Sequence, residues 1–184
     1  MKKLLVPAFL LITTFSNGQD QKVQDLDFLI GTWEITFDIY DTHHPEKGII
    51  FSEIGRQECY YDLEHNGEPR FITCKGKVAR EDGRERTFQE SIRYGNFSGT
   101  FERVGIFSNW PATSEELLFY HEAERRFEIR GELGVQDNML ERYEDIYQFN
   151  EDYTSYERKN VANFSNMPVT EYNVTLMGTG KKIK

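Results

Sequence analysis

Cysteine is nearly absent from this chain. Two residues among 184, Cys59 and Cys74, are all it has. They form no Cys-x-x-Cys pair, which leaves dithiol redox catalysis and a cysteine-built metal site without their usual spacing. Histidine is as scarce: His43, His44, His65 and His121, with none beyond. Positive charge is in deficit, and a net charge of −9 argues against nucleic acid or an anionic membrane surface as partner. The longest apolar stretch, residues 4–15, is too short to span a bilayer. No segment holds a helical period. The Gly-x-Ser-x-Gly elbow, the phosphate-binding glycine loop and His-Glu-x-x-His are all missing.

Aromatics, by contrast, are abundant. Fourteen Phe, ten Tyr and two Trp recur at alternating positions, which suits strands. The first residues carry the marks of an export signal. Lys2 and Lys3 precede the short apolar stretch, and Ser16-Asn17-Gly18 supplies small residues for cleavage. Residues 1–18 are therefore expected to be a leader, with a secreted or periplasmic mature chain from Gln19. No cysteine adjoins the cut, so a lipid anchor is not expected. Residues 19–184 are expected to form one domain.

The period of two defines about nine or ten strands joined by short turns, an all-β chain whose regular spacing implies a closed antiparallel up-and-down barrel. Trp33, Ile35, Phe37 and Ile39 share one strand face. Apolar parity blurs near Gly55, where a bulge is expected. Asn66-Gly67 is the preferred pair for a two-residue type I′ turn, which sets Tyr61 opposite Ile72 and Cys59 opposite Cys74. Gly95-Asn96 reads as a second two-residue turn, with strand from Phe97 to Phe107 and Glu90 opposite Phe101. A short helix over residues 23–29 would plug one barrel end.

Residues Phe28-Leu29-Ile30-Gly31-Thr32-Trp33-Glu34 resemble the opening of the calycin-like barrels, and the secreted bacterial lipocalin-like families of unknown function most of all. Fatty-acid-binding and nitrobindin barrels are more distant relatives in this resemblance. The likeness implies that Trp33 packs across the closed end. A nitrobindin-like haem would need a histidine on a late strand. None follows His121, and no cofactor is expected.

Two constellations carry candidate chemistry. The cysteines would be direct cross-strand partners in an exported chain, where a disulfide persists; two free buried thiols are the alternative. Glu90 interrupts the apolar face of Phe88, Ile92 and Tyr94, and Arg103 interrupts that of Phe97, Phe101 and Phe107. Diagonal placement lets the two side chains meet. They are an internal salt bridge, a pair turned toward water, or a polar handle for a ligand head group. Asp145, between Tyr143 and Tyr147, is a third such residue. The loop Asp41-x-His43-His44-x-Glu46 holds metal-ligand residue types but reads as solvated. The expectation is a barrel that holds a small apolar or amphipathic molecule against Ile35, Phe37, Tyr61, Phe88, Phe101, Tyr120 and Phe127, with Glu90 and Arg103 at its polar end. Two alternatives stay open: a cyclase or isomerase using Glu90 as acid, and a filled barrel that binds another protein through loops near Trp110.

Overall fold

The computed structural model describes residues 22–42, 44–109, 113–135, 139–164, 167, 168 and 171–184, with side chains described outside 132–141. The leader, His43 and Trp110 lie outside these residues. A 3-10 helix, Val23–Leu29, leads into ten strands. These are β1 (Gly31–Tyr40), β2 (Ile49–His65), β3 (Glu68–Ala79), β4 (Glu85–Gly95), β5 (Thr100–Phe107), β6 (Ser114–His121), β7 (Arg126–Val135), β8 (Met139–Phe149), β9 (Ser155–Asn163) and β10 (Asn173–Lys182). Each pairs antiparallel with its neighbours in sequence, and β10 returns to β1, so the sheet is a single closed up-and-down barrel. Among the described residues no helix is long and apolar enough to cross a membrane.

The entry motif closes one end. Gly31 has φ +130°, and a Cβ there would lie 2.2 Å from the Lys184 carbonyl oxygen. Only glycine fits where the first strand meets the last residues of the chain. Trp33 is buried, and its indole N–H donates to the Leu29 carbonyl at 2.9 Å. Its ring packs against Phe149 and Tyr156. The helix inserts Val23, Leu26 and Leu29 into the same end, while Phe28 packs on Tyr120, Phe149 and Tyr153. The plug expected over residues 23–29 is there, and its residues seal the barrel by burying their apolar side.

Large rings fit the interior because glycines face them across the strands. Phe88 is paired with Gly76, Tyr156 with Gly180, Tyr143 with Gly131 and Phe37 with Gly178. A Cβ on Gly76 would sit 2.1 Å from the Phe88 ring, and one on Gly180 would sit 2.2 Å from Tyr156. Each missing side chain is the space that a neighbouring aromatic fills. The segment Gly178-Thr179-Gly180, which carries no motif signal, is thus part of the closing strand.

Two local expectations are corrected. Gly55 sits in an unbroken ladder with both neighbours, and the register of β1 and β2 slips instead at Ile39/Tyr40. Parity blurs near Gly55 because polar Glu53 and Gln57 alternate on the inner face while Ile54 points out and is exposed. The β4–β5 connection is a four-residue loop, Asn96 to Gly99, closed by Gly99 N–H donating to the Gly95 carbonyl at 2.8 Å. Phe97 therefore stands in the loop, fully exposed, and is not on the strand face. Glu90 faces Gly105 rather than Phe101. The slip is an even number of residues, so the inner face stays the same and Arg103 is still diagonal to Glu90, from the other side.

Candidate functional site

A layer of buried charge crosses the barrel beyond the aromatic plug. Glu90 on β4, Arg103 on β5, Glu116 on β6, Asp145 on β8 and Arg158 on β9 all take inward positions in strands whose other inward residues are mostly apolar. Arg103, 2% exposed, stands at its centre. Its Nη2 lies 2.9 Å from Glu90 Oε1, its Nε 3.0 Å from Glu116 Oε2 and its Nη1 3.8 Å from Asp145 Oδ2. Asp145 accepts two hydrogen bonds from Arg158, through Nε at 2.9 Å and Nη2 at 2.5 Å. This fork-to-fork pairing is the strong form of the arginine–carboxylate contact. Tyr143 donates its hydroxyl proton to Glu116 Oε1. The Arg158 guanidinium lies over Tyr147 and Phe37, at 4.9 and 5.1 Å from the ring centroids.

The protonation of this layer follows from its composition. Burial by itself would lower the pKa of Arg103, but Glu90, Glu116 and the other negative partners outweigh it and hold the group above the usual arginine range. Arg158 behaves likewise, with Asp145 as the main opposing charge. Burial first, and then the Glu116 carboxylate, push the Tyr143 hydroxyl well above the usual tyrosine value, so it remains a donor.

A further acid, Glu53 on β2, is buried toward the opposite rim. It accepts from Arg86 Nε at 3.2 Å and from Arg86 Nη2, with Arg80 Nε at 3.7 Å. Arg80 also stacks on Phe51, 3.3 Å from the ring centroid. Near the rim Ile39, Phe51, Phe107 and Leu176 are only half-buried.

The residues singled out in the sequence are thus divided. Glu90, Arg103 and Asp145 meet in one network. Ile35, Phe37, Phe88, Phe101 and Phe127 are buried interior residues. Tyr61 and Tyr120 are half-buried at the plugged end. Tyr61 donates to Asp27 of the helix, and the Tyr120 and Tyr153 hydroxyls are 2.8 Å apart. None of these seven lines the three cavities described among these residues, of about 1100, 610 and 240 Å³. Cys59 and Cys74 are cross-strand partners and their sulfurs are bonded, at 2.09 Å. Cys74 is in turn paired with Glu90 on β4. In the Asp41–Lys47 loop, His44 lies against Glu46 and Lys47 against Asp41. Among the described residues no group of three His, Cys, Asp or Glu side chains is placed to hold a metal ion.

Glu116, Arg158 and Glu53 escape notice in the sequence, although each breaks the apolar parity of its strand as Glu90 does. Glu116 follows Ser114, and Arg158 precedes Asn160, so each stands in a face already mixed with polar residues. Interruption of parity is legible only against a clean apolar face.

A cavity bounded by described residues has a volume of about 1100 Å³. It is lined by Arg103, Glu116, Gly131 and Tyr143 together with outward-facing residues that include Leu117 and Arg130. The charged layer therefore borders this space, and the plugged end borders smaller clefts beside Phe149 and Tyr156 and beside Val23.

No family model matches the chain, and no curated protein matches it. Among solved structures it is similar to a redesigned β-barrel, mFAP0, bound to DFHBI, at 13% identity and a TM-score of 0.40, covering 84% of this chain and 99% of that one. It is also similar to EF1p2_mFAP2b bound to DFHBI, at 10% identity and a TM-score of 0.41, covering 86% and 96%. These are likenesses of general shape, and nothing about the ligand of this chain follows from them.

Proposed function

We propose that the chain is an exported, calycin-type binding protein that holds a small amphipathic molecule, with the charged layer as its polar anchor. The observation that carries this reading is the cavity of about 1100 Å³ whose wall includes Arg103 and Glu116. A buried ion network is a poor device for stability, since desolvation offsets most of its Coulomb gain. Placed beside open space, it is well suited to orienting a ligand. Ligand contacts shift accordingly, away from the seven interior aromatic and aliphatic residues and toward the surroundings of Arg103, Glu116 and Tyr143. Glu90 acts here as counter-ion to Arg103 rather than as a free acid. Three further features support the class and the compartment: the Gly31-Thr32-Trp33 entry, Trp33 across the closed end, and a disulfide that fits an oxidising environment.

Native mass spectrometry of protein purified from its producing cells tests the proposal. The expected result is a mature chain starting at Gln19 that carries a co-purifying molecule, released on acid denaturation. A chain that is empty, and whose melting temperature no small amphipathic probe raises, would remove the binding reading. A mass that retains residues 1–18 would remove the export reading alone.

A further inference from the structure

Among the described residues, the pairing between β6 and β7 stops short. β6 pairs with β5 from Leu118 down to Ser114, through Glu116 opposite Arg103. With β7 it pairs only from His121 opposite Arg126 to Leu117 opposite Arg130. The next pair in that register would join Glu116 to Gly131, and it is not formed, although β7 continues against β8 to Val135. Neighbouring strands that stop pairing leave a slot. The cavity lies at this slot, with Leu117 and Arg130 on its outer side and Arg103, Glu116 and Tyr143 on its inner side. Gly131 at the slot leaves room for the Tyr143 ring, whose atoms would lie 2.4 Å from an added Cβ.

The same place holds the unmet hydrogen-bonding groups of the layer. Arg103 Nε and Nη1 and Glu116 Oε2 are buried and have no aligned partner. Arg103 Nε and Glu116 Oε2 are 3.0 Å apart, close enough to attract but misaligned for a hydrogen bond. Leaving such groups unserved is costly. An incoming anion would meet Glu116 beside Arg103, and an incoming cation would meet Arg103 beside Glu116. A neutral planar group that accepts along one part of its edge and donates along another meets neither repulsion. Resting on the binding reading above, we infer that the slot between β6 and β7 is a subsite for such a head group, with the carboxamide as its simplest form. Arg103 would donate to the amide oxygen, and Glu116 Oε2 would accept from the amide nitrogen.

Ligand-detected NMR titrations of the full chain with benzamide, benzoate, benzylammonium and toluene test this. Two matched hydrogen bonds to charged groups should make benzamide at least about tenfold tighter than the other three. Glu116→Gln removes the charge that neutralises Arg103, and benzoate should then gain about tenfold relative to benzamide. Tyr143→Phe strips Glu116 of its tyrosine donor, and benzylammonium should gain on benzoate. The wild-type order and the Tyr143→Phe shift decide the matter if Glu116→Gln does not fold. Equal binding of all four probes, or an order unchanged in both variants, would overturn the subsite and leave its atoms to water while the binding reading stood. Binding of none of them would remove both.

Discussion

The two ends of the barrel interior are built on opposite principles. At the plugged end, Leu26, Trp33, Phe149 and Tyr156 fill the space with rings and aliphatic groups, and the Trp33 indole N–H is served by the Leu29 carbonyl. Beyond it, five charged side chains are buried within one layer, and three of their polar atoms lack an aligned partner. The first arrangement contributes stability through apolar burial, about 25 cal/mol per Å². The second contributes little net stability, and its geometry is open to a third party. The difference teaches where to look in a small barrel: the site is where the interior is expensive to keep and incompletely satisfied, and the aromatic richness marks the part that holds it together.

That contrast can be broken or sharpened by measurement. Trp33→Ala should cost about 3–5 kcal/mol, read from chemical denaturation, because a large buried ring leaves a cavity under the helix. A loss below about 1 kcal/mol would mean that the plugged end is not close-packed. In the charged layer, Arg158→Met alone should cost a similar ~3–5 kcal/mol, since it strands the Asp145 carboxylate. The double variant Arg158→Met/Asp145→Leu should recover most of that loss. Two losses that simply add would show that the pair is not coupled and that the halves differ less than described.

Smaller effects follow. Cys59→Ala/Cys74→Ala should lower stability by about 3 kcal/mol, the loop-closure value for a sequence separation of 15. Reduction of the wild-type protein should reproduce that loss, and a melting temperature indifferent to reductant would count against it. Alkaline pH provides the gentlest probe. Burial raises the Tyr147 and Tyr156 hydroxyls above the usual tyrosine value, and Tyr143 is raised by burial and by Glu116. The folded state then holds these protons more tightly than the unfolded chain. Their contribution is intact below pH 10 and declines as the pH rises past it toward the folded values. Tyrosinate absorbance should accordingly appear in two stages, exposed tyrosines first and the buried set only on unfolding. A single titration centred near 10 would contradict that burial.

Much of the fold was open to reading. The strand rhythm, the Asn66-Gly67 turn and the pairing of Cys59 with Cys74 follow from rules that act over a few residues. The site was open only in part. Glu90, Arg103 and Asp145 stand out because each breaks a run of apolar inward positions. Glu116 and Arg158 complete the network from strands whose faces are already mixed. The β4–β5 connection is longer than the Gly95-Asn96 pair implies, and Glu90 still meets Arg103 because the slip is an even number of residues.

What the chain determined by itself is therefore the barrel: period-two patterning assigns each side chain to one face, and turn chemistry joins the strands in order. What the tertiary structure alone decided is which inward charges converge, which of their atoms stay unmatched, and where the ladder between β6 and β7 gives out. Those outcomes depend on distances between strands far apart in sequence. Glu116 faces Arg103 across consecutive strands, but Asp145 comes from three strands further round, and only the curvature of the closed sheet brings it to the same guanidinium.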